Sequence, residues 1–274
     1  METNIILAGV GGQGILSIAL VIDTAALEQG LYFKQAEVHG MSQRGGDVQS
    51  HLRLSDKTIH SDLVPRGTAD LVLSIEPLES LRYVEFLKPG GALVTGVDPF
   101  VNIADYPELE KVLDAVASLN DHTLVHADRL AREVGSGRAQ NMVLLGAASP
   151  FLGLEDERIV NAIRTAFERK GDKVLQTNID AYRAGKAAGE AYRACVKAGI
   201  PVKAAREFVG QLQGGRLAAE AVPVWKELLT GPMGGDILAL FAKEKVAKVE
   251  GSLEVAQAVA EKGTGDLAAV LFKA

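Results

Sequence analysis

The stretch NIILAGVGGQGILSIAL, residues 4–20, restricts the fold more than any other part of the chain. NIILA is a short apolar run that stops at glycines, the pattern of a strand buried on both faces. The residues after those glycines, ILSIALVIDTAALEQG, fit a helix that stops at Gly30. A buried strand that runs through glycines straight into a helix opens an α/β unit.

The pattern then repeats. LYFKQAEV is a second strand, and DVQSHLRLS alternates Val48, Ser50, Leu52 and Leu54 with polar partners. The DK after it turns the chain into TIHS, which predicts a β-hairpin inserted in the sheet. ADLVLSI, GALVTG and TLVHA supply further strands, and PLESLRYVEFL opens a helix with Pro77 in its first turn. Strands alternating with helices to about residue 126 imply an α/β fold with a doubly wound, mostly parallel sheet. RAQNMVLLGAASPFLG, DERIVNAIRTAFERK and TNIDAYRAGKAAGEAYRACVKAG then read as helices. In the last, Ala181, Gly185, Ala188 and Tyr192 share a face whose small side chains let another helix come close. Residues 200–274 read as amphipathic helices separated by QGG, TGPMGG and GTG, a C-terminal helical appendage to a domain of residues 1–199. Val222, Trp225, Leu228 and Leu229 form an apolar stripe in it, expected to pack on a partner subunit or a second copy, the alternative being that it only caps its own domain.

Composition narrows the function. Hydrophobic residues make up 47% of 274, enough for a large core. A net charge of −6 speaks against a general nucleic-acid binder, which needs a basic footprint. The opening METNIILAGVGGQGILS lacks the basic region of a signal peptide, and no run approaches the ~18 apolar residues of a membrane span. A soluble, cytoplasmic protein is expected. Cys195 is the only cysteine, so the chain cannot supply the thiolates of an ordinary iron–sulfur cluster; amid AYRACVKAG it reads as a structural thiol.

Two loops carry the chemistry. Gly9, Gly11 and Gly14 form G-x-G-x-x-G between strand and helix, with Gly12 and Gln13 between them. Backbone amides at such a turn can approach an anion, favoured by the helix dipole. Glu37 lies about 20 residues on, where a dinucleotide-binding fold places its ribose acid, which suggests NAD. The same glycines equally allow a tight turn with no ligand. The second loop, HGMSQRGG, comes after the second strand and so should face the same crevice. Its Arg44, beside Gly45 and Gly46, suits a phosphate or carboxylate, or else is a solvated arginine in a turn. His39, His51 and His60 have no metal-ligand spacing, which argues against zinc. His122 and His126 read as surface or strand-end residues, and no G-x-S-x-G elbow supports a serine nucleophile.

GVGGQG, EVHGMSQRGG, EPLESLR and QNMVLLGA, in this order, resemble the gamma-type domain of the 2-oxoacid:ferredoxin oxidoreductases. Within that family they look like the smaller (beta) subunit of the indolepyruvate, or arylpyruvate, type. The likeness covers roughly residues 3–195. It implies oxidative decarboxylation of a 2-oxoacid on thiamine diphosphate, with electrons passing through [4Fe-4S] clusters to ferredoxin and the acyl group to coenzyme A. With one cysteine and no GDG segment for a thiamine diphosphate–Mg2+ site, this chain would leave those groups to a larger alpha-type subunit. It also implies a docking or ligand-facing role, at coenzyme A phosphates or at the subunit interface, for Gly9, Gly11, Gly12, Gln13, Gly14, His39, Ser42, Gln43, Arg44, Gly45 and Gly46. The tail departs from the family, whose members end near YRACVKAG. A stand-alone NAD-dependent dehydrogenase, resting on the first loop and Glu37, and a non-catalytic scaffold, resting on the tail, are the other readings.

Overall fold

The computed structural model describes residues 1–39, 45–101, 103–243, 249–262 and 267–271. Its centre is a six-stranded sheet in the order β2-β3-β1-β4-β5-β6. The strands are β1 (Glu2–Val10), β2 (Tyr32–His39), β3 (Asp47–Ser55), β4 (Ala69–Ser74), β5 (Leu87–Gly96) and β6 (His122–Val125). β1, β4, β5 and β6 run parallel, while β3 is antiparallel to both β1 and β2. From Thr3 to Val10 every residue of β1 is buried, as a central strand covered on both faces requires.

A hairpin is present, but it is not the one the alternation suggested. β3 pairs with β2, Tyr32 opposite Ser55 through His39 opposite Val48, and TIHS lies outside any strand. DK does end β3, yet β3 already has β1 and β2 on its two edges, so a further partner has no free ladder to bond.

Helix α1 (Ile15–Glu28) returns from β1, and α2 (Pro77–Arg82) and α3 (Leu109–Ala117) come after β4 and β5. α4 (Ala127–Glu133), α5 (Gln140–Ala148), α6 (Asp156–Phe167) and α7 (Asp172–Lys197) complete the covering layers. The α5–α7 pair is packed backbone to backbone. A Cβ on Gly146 would stand 1.9 Å from the Tyr182 carbonyl oxygen, and one on Gly185 1.8 Å from that of Val143. The small-residue face of α7 therefore does what its sequence predicts: it lets two backbones touch. Cys195, on the same helix, is fully buried, and desolvation pushes its thiol up to about 12, consistent with a structural thiol.

The C-terminal segment differs from a purely helical appendage. Between α8 (Val202–Gln211) and α9 (Val222–Thr230) runs β7 (Leu212–Leu217), parallel to β8 (Val249–Gly251), so QGG lies inside a strand. α10 (Gly234–Lys243), α11 (Leu253–Lys262) and α12 (Leu267–Leu271) complete it. The stripe expected to meet a partner is used internally. Trp225, Leu228 and Leu229 are buried, and the Trp225 ring lies 4.4 Å from that of Phe208. The segment also covers the main domain, where Arg206 of α8 makes paired bonds of 2.9 and 3.0 Å to Glu110 of α3. Among the described residues no helix is long and apolar enough to cross a membrane.

Candidate functional site

β1 ends at Val10, and the next four residues turn the chain into α1. The turn closes on itself: Gln13 N–H donates to the Val10 carbonyl at 3.1 Å, and the Gln13 side-chain oxygen accepts from Val10 N–H at 2.8 Å. Gly12 and Gly14 hold φ of 100° and 91°, left-handed values that only glycine adopts readily. At Gly14 a Cβ would also meet the Asn141 amide nitrogen at 2.7 Å. That amide instead donates to the Gly14 carbonyl at 3.3 Å, tying the turn to the start of α5. Gln13 is thus a brace of the loop, at least through its oxygen.

The two glycine-bearing loops meet as their positions required. Gly11 N–H donates to the Gly46 carbonyl at 2.8 Å, and Gly45 N–H to the Gly11 carbonyl at 3.4 Å. His39 ends β2 opposite Val48. Its side chain, and Gly40, Met41, Ser42, Gln43 and Arg44, lie outside the described residues. Glu37 is placed against the dinucleotide reading. With β3 inserted between β1 and β2, Glu37 pairs with Ser50, and Ser50 with Leu7. It stands two strand spacings, about 10 Å, from β1 rather than one. A ribose acid needs the adjacent strand, so the spacing in sequence does not become an NAD site in space.

The other face of the turn opens on a cleft of about 700 Å3. Gly12, Gln13, Gly14 and Ser17 form one wall, residues 135–141 a second, and residues from Phe167 to Asn178 the third. Arg138, Lys170 and Lys173 are its charged lining residues, and among the described residues no carboxylate lines it. These three cations escaped the sequence reading because 124 or more positions separate them from Gly14, and only the packing of α5 and α7 brings them to it. The one local signal was GSGR, residues 135–138, a glycine-serine turn just before a helix.

His51, His122 and His126 have structural settings. His51 accepts at Nδ1 from Val64 N–H at 3.1 Å and meets Phe86 edge-on. Desolvation lowers its pKa, with Asp62 opposing. His122 and His126 stand at the two ends of β6, as one of the two readings had them, and neither is exposed. His122 is buried against Tyr192. His126 lies beneath Gly210, where a Cβ would come within 2.8 Å of its Nε2, and desolvation, then Arg129 and Arg206, push its pKa down to about 3. Among the described residues no three His, Cys, Asp or Glu side chains converge to hold a metal ion.

Beside β4, Glu76 is 1% exposed yet serves three donors: Glu79 N–H at 2.7 Å, Phe100 N–H at 3.4 Å and the Tyr106 hydroxyl. EPLESLR, one of the segments that carried the resemblance, is thus an anchor for the loop after β5.

The fold and the glycine turn define a doubly wound α/β domain, and comparison with known proteins gives the family. The chain belongs to the pyruvate ferredoxin/flavodoxin oxidoreductase family, whose model matches residues 4–188. It is 39% identical over 200 residues to the indolepyruvate oxidoreductase subunit IorB of Pyrococcus horikoshii, covering 69% of this chain and 97% of that one. The IorB of Thermococcus kodakarensis is 38% identical over 219 residues, 76% of this chain and 98% of its own. In structure the chain is similar to the pyruvate oxidoreductase subunit PORC of Thermotoga maritima, with a TM-score of 0.51 and 26% identity over 68% of this chain and 95% of that one.

Proposed function

We propose that this chain is the smaller subunit of an arylpyruvate-type 2-oxoacid:ferredoxin oxidoreductase and works only within a complex. Family membership makes it a subunit of an oxidoreductase acting on 2-oxoacids. The observation that carries the narrower reading is that relatives named for indolepyruvate align over nearly their whole length.

Of the thiamine diphosphate, Mg2+ and [4Fe-4S] clusters that the family implies, the clusters do not fit this chain. A cluster needs several thiolates, and the single thiol, Cys195, is buried and held protonated. Those groups belong to a larger alpha-type partner, which would do the decarboxylation and pass electrons to ferredoxin. This chain contributes the paired glycine loops, with His39, Ser42, Gln43 and Arg44 in the second. We assign them to closing the shared active site and approaching the phosphates of coenzyme A, and we place the protein in the cytoplasm. Residues 1–199 form the family unit and 200–274 an addition to it, in keeping with a family match that ends at residue 188.

Purification from the native extract tests the reading. A brown complex with a cysteine-rich larger subunit that oxidises indolepyruvate with coenzyme A is expected. A colourless chain that reduces NAD alone would overturn it, as would a colourless complex inert with 2-oxoacids.

A further inference from the structure

We propose that the outer edge of β2, with a row of leucines on α1 beside it, binds a second copy of this chain. The two β2 strands pair antiparallel about a two-fold axis through Gln35.

The edge is open. β2 is the last strand on its side of the sheet, with β3 on its inner edge and, among the described residues, no strand on its outer one. Its eight residues give an edge about 26 Å long. Outermost strands usually carry a guard against further pairing, such as a proline, a bulge or an outward lysine. β2 contains no proline, and it pairs with β3 from Tyr32 to His39 without a register shift. Its one lysine, Lys34, donates from Nζ to the His60 carbonyl at 3.3 Å and so lies over the loop after β3.

The helix beside the edge is apolar where it meets water. Leu16, Leu20 and Leu27 of α1 are 53%, 54% and 61% exposed. Spacings of four and seven residues put them in one row along the helix. Asp23 falls in the same row but is buried, so it adds no charge to this surface. α1 packs on β2 and β3, which sets the row at this margin of the sheet. Such a row is more than the scattered single apolar residues of an ordinary surface.

The strand selects a second copy as the occupant. Tyr32 and Val38 point to one face of β2, are 55% and 49% exposed, and lie three residues to either side of Gln35. A two-fold axis through Gln35 therefore sets each Tyr32 opposite Val38 of the second copy, an aromatic and β-branched pair of the kind that stabilises sheets. Lys34 then faces Ala36 of the second copy. Sliding the strands one way sets the two Lys34 side chains against each other, and sliding them the other way carries Tyr32 past the end of the strand. The same axis places both α1 helices, with their leucine rows, on one face of the joined sheet.

Sedimentation of the full-length chain and disulfide trapping test the pairing. Wild type sediments as a dimer at micromolar concentration. Leu20→Glu/Leu27→Glu weakens association about tenfold or more and leaves the circular dichroism spectrum unchanged, since both side chains are exposed in the single chain. Gln35→Cys places two thiols on residues whose Cα atoms stand about 4.5–5.5 Å apart, within disulfide range, so mild oxidation joins the copies. Tyr32→Cys leaves its two thiols about 20 Å apart and gives no such product. Cys195 is buried and takes no part. Charge reads the register: Tyr32→Lys/Val38→Lys sediments as a monomer, whereas Tyr32→Lys/Val38→Glu stays paired. A monomeric wild type, or Gln35→Cys that cross-links no faster than Tyr32→Cys, overturns the proposal. So does a chain that is monomeric alone and whose α1 row is shielded only when the larger subunit is added, because the larger subunit is then the occupant.

Discussion

Gly185→Ala places a methyl group where the structure has no room. Its Cβ would stand 1.8 Å from the Val143 carbonyl oxygen and 2.7 Å from the Val143 Cα. Ordinary contact needs about 3.4 Å or more, so α5 and α7 must separate by about 1.5 Å along their whole crossing. Overpacking of this kind costs about 3 kcal/mol when the obstacle is backbone and cannot rotate away. Alanine returns about 1 kcal/mol of helix propensity, which leaves a net loss of about 2 kcal/mol. For a chain of this size that lowers the melting temperature by about 4–8 °C. Gly235→Ala in α10, where a Cβ meets nothing within 4 Å, isolates the propensity term and should match or slightly exceed wild type. Thermal unfolding followed by circular dichroism compares the three. A Gly185→Ala melting temperature equal to or above wild type would refute the backbone-contact argument. The variant should also loosen the cleft, since the starts of α5 and α7 are two of its walls.

Asp23 is 7% exposed on α1, and desolvation raises its carboxyl to about 7. Its folded pKa lies above the unfolded value, so the native state holds the extra proton and stability falls as pH rises from about 4 to about 7. Asp23→Asn should therefore gain on wild type by about 2–4 kcal/mol between pH 4 and pH 8 in urea titrations, and a pH-independent difference would count against it. Glu76→Ala strips the acceptor from three donors and should cost about 3 kcal/mol, with hydrogen exchange quickened at the Phe100 amide. Unchanged exchange there would show that the loop is held by other means. Ending the chain after Gly199 removes Phe208, Trp225 and the Arg206–Glu110 bonds and should lower the melting temperature sharply. A truncated chain as stable as the whole would mean that the segment is only an attachment.

Local features of the fold were legible wherever one segment contained all the information. The buried run of β1, the glycine turn and the small face of α7 each announce themselves within a few residues. The hairpin was misread because alternation marks a strand without naming its partner. β3 chose β1 and β2, on either side, over the TIHS segment after it. QGG reads as a helix break because glycines weaken a strand, yet here Gly215 lets β7 lie on Ala188, since a Cβ at 215 would stand 2.8 Å from the Ala188 backbone. The same limit governs the site. Gly11 and Gly46 were found together because strand ends converge by rule. Asn141, Arg138, Lys170 and Lys173 reach the turn only through the packing of helices, which no spacing in the sequence encodes.

The bonds between Gly11 and the Gly45–Gly46 pair give the turn a part in the folding reaction itself. β2 and β3 can form as a local hairpin, but the turn is completed only when β1, from before α1, inserts beside β3 and takes β4 on its other edge. Loop closure over those separations must come first, so the turn is among the late features to form. A molecule that fits only the finished turn then stabilises the entire sheet, by about 2.7 kcal/mol at a hundred times its dissociation constant. Occupancy at one loop would thus be read as protection of amide protons on β1, β3 and β4, well beyond any residue the ligand touches.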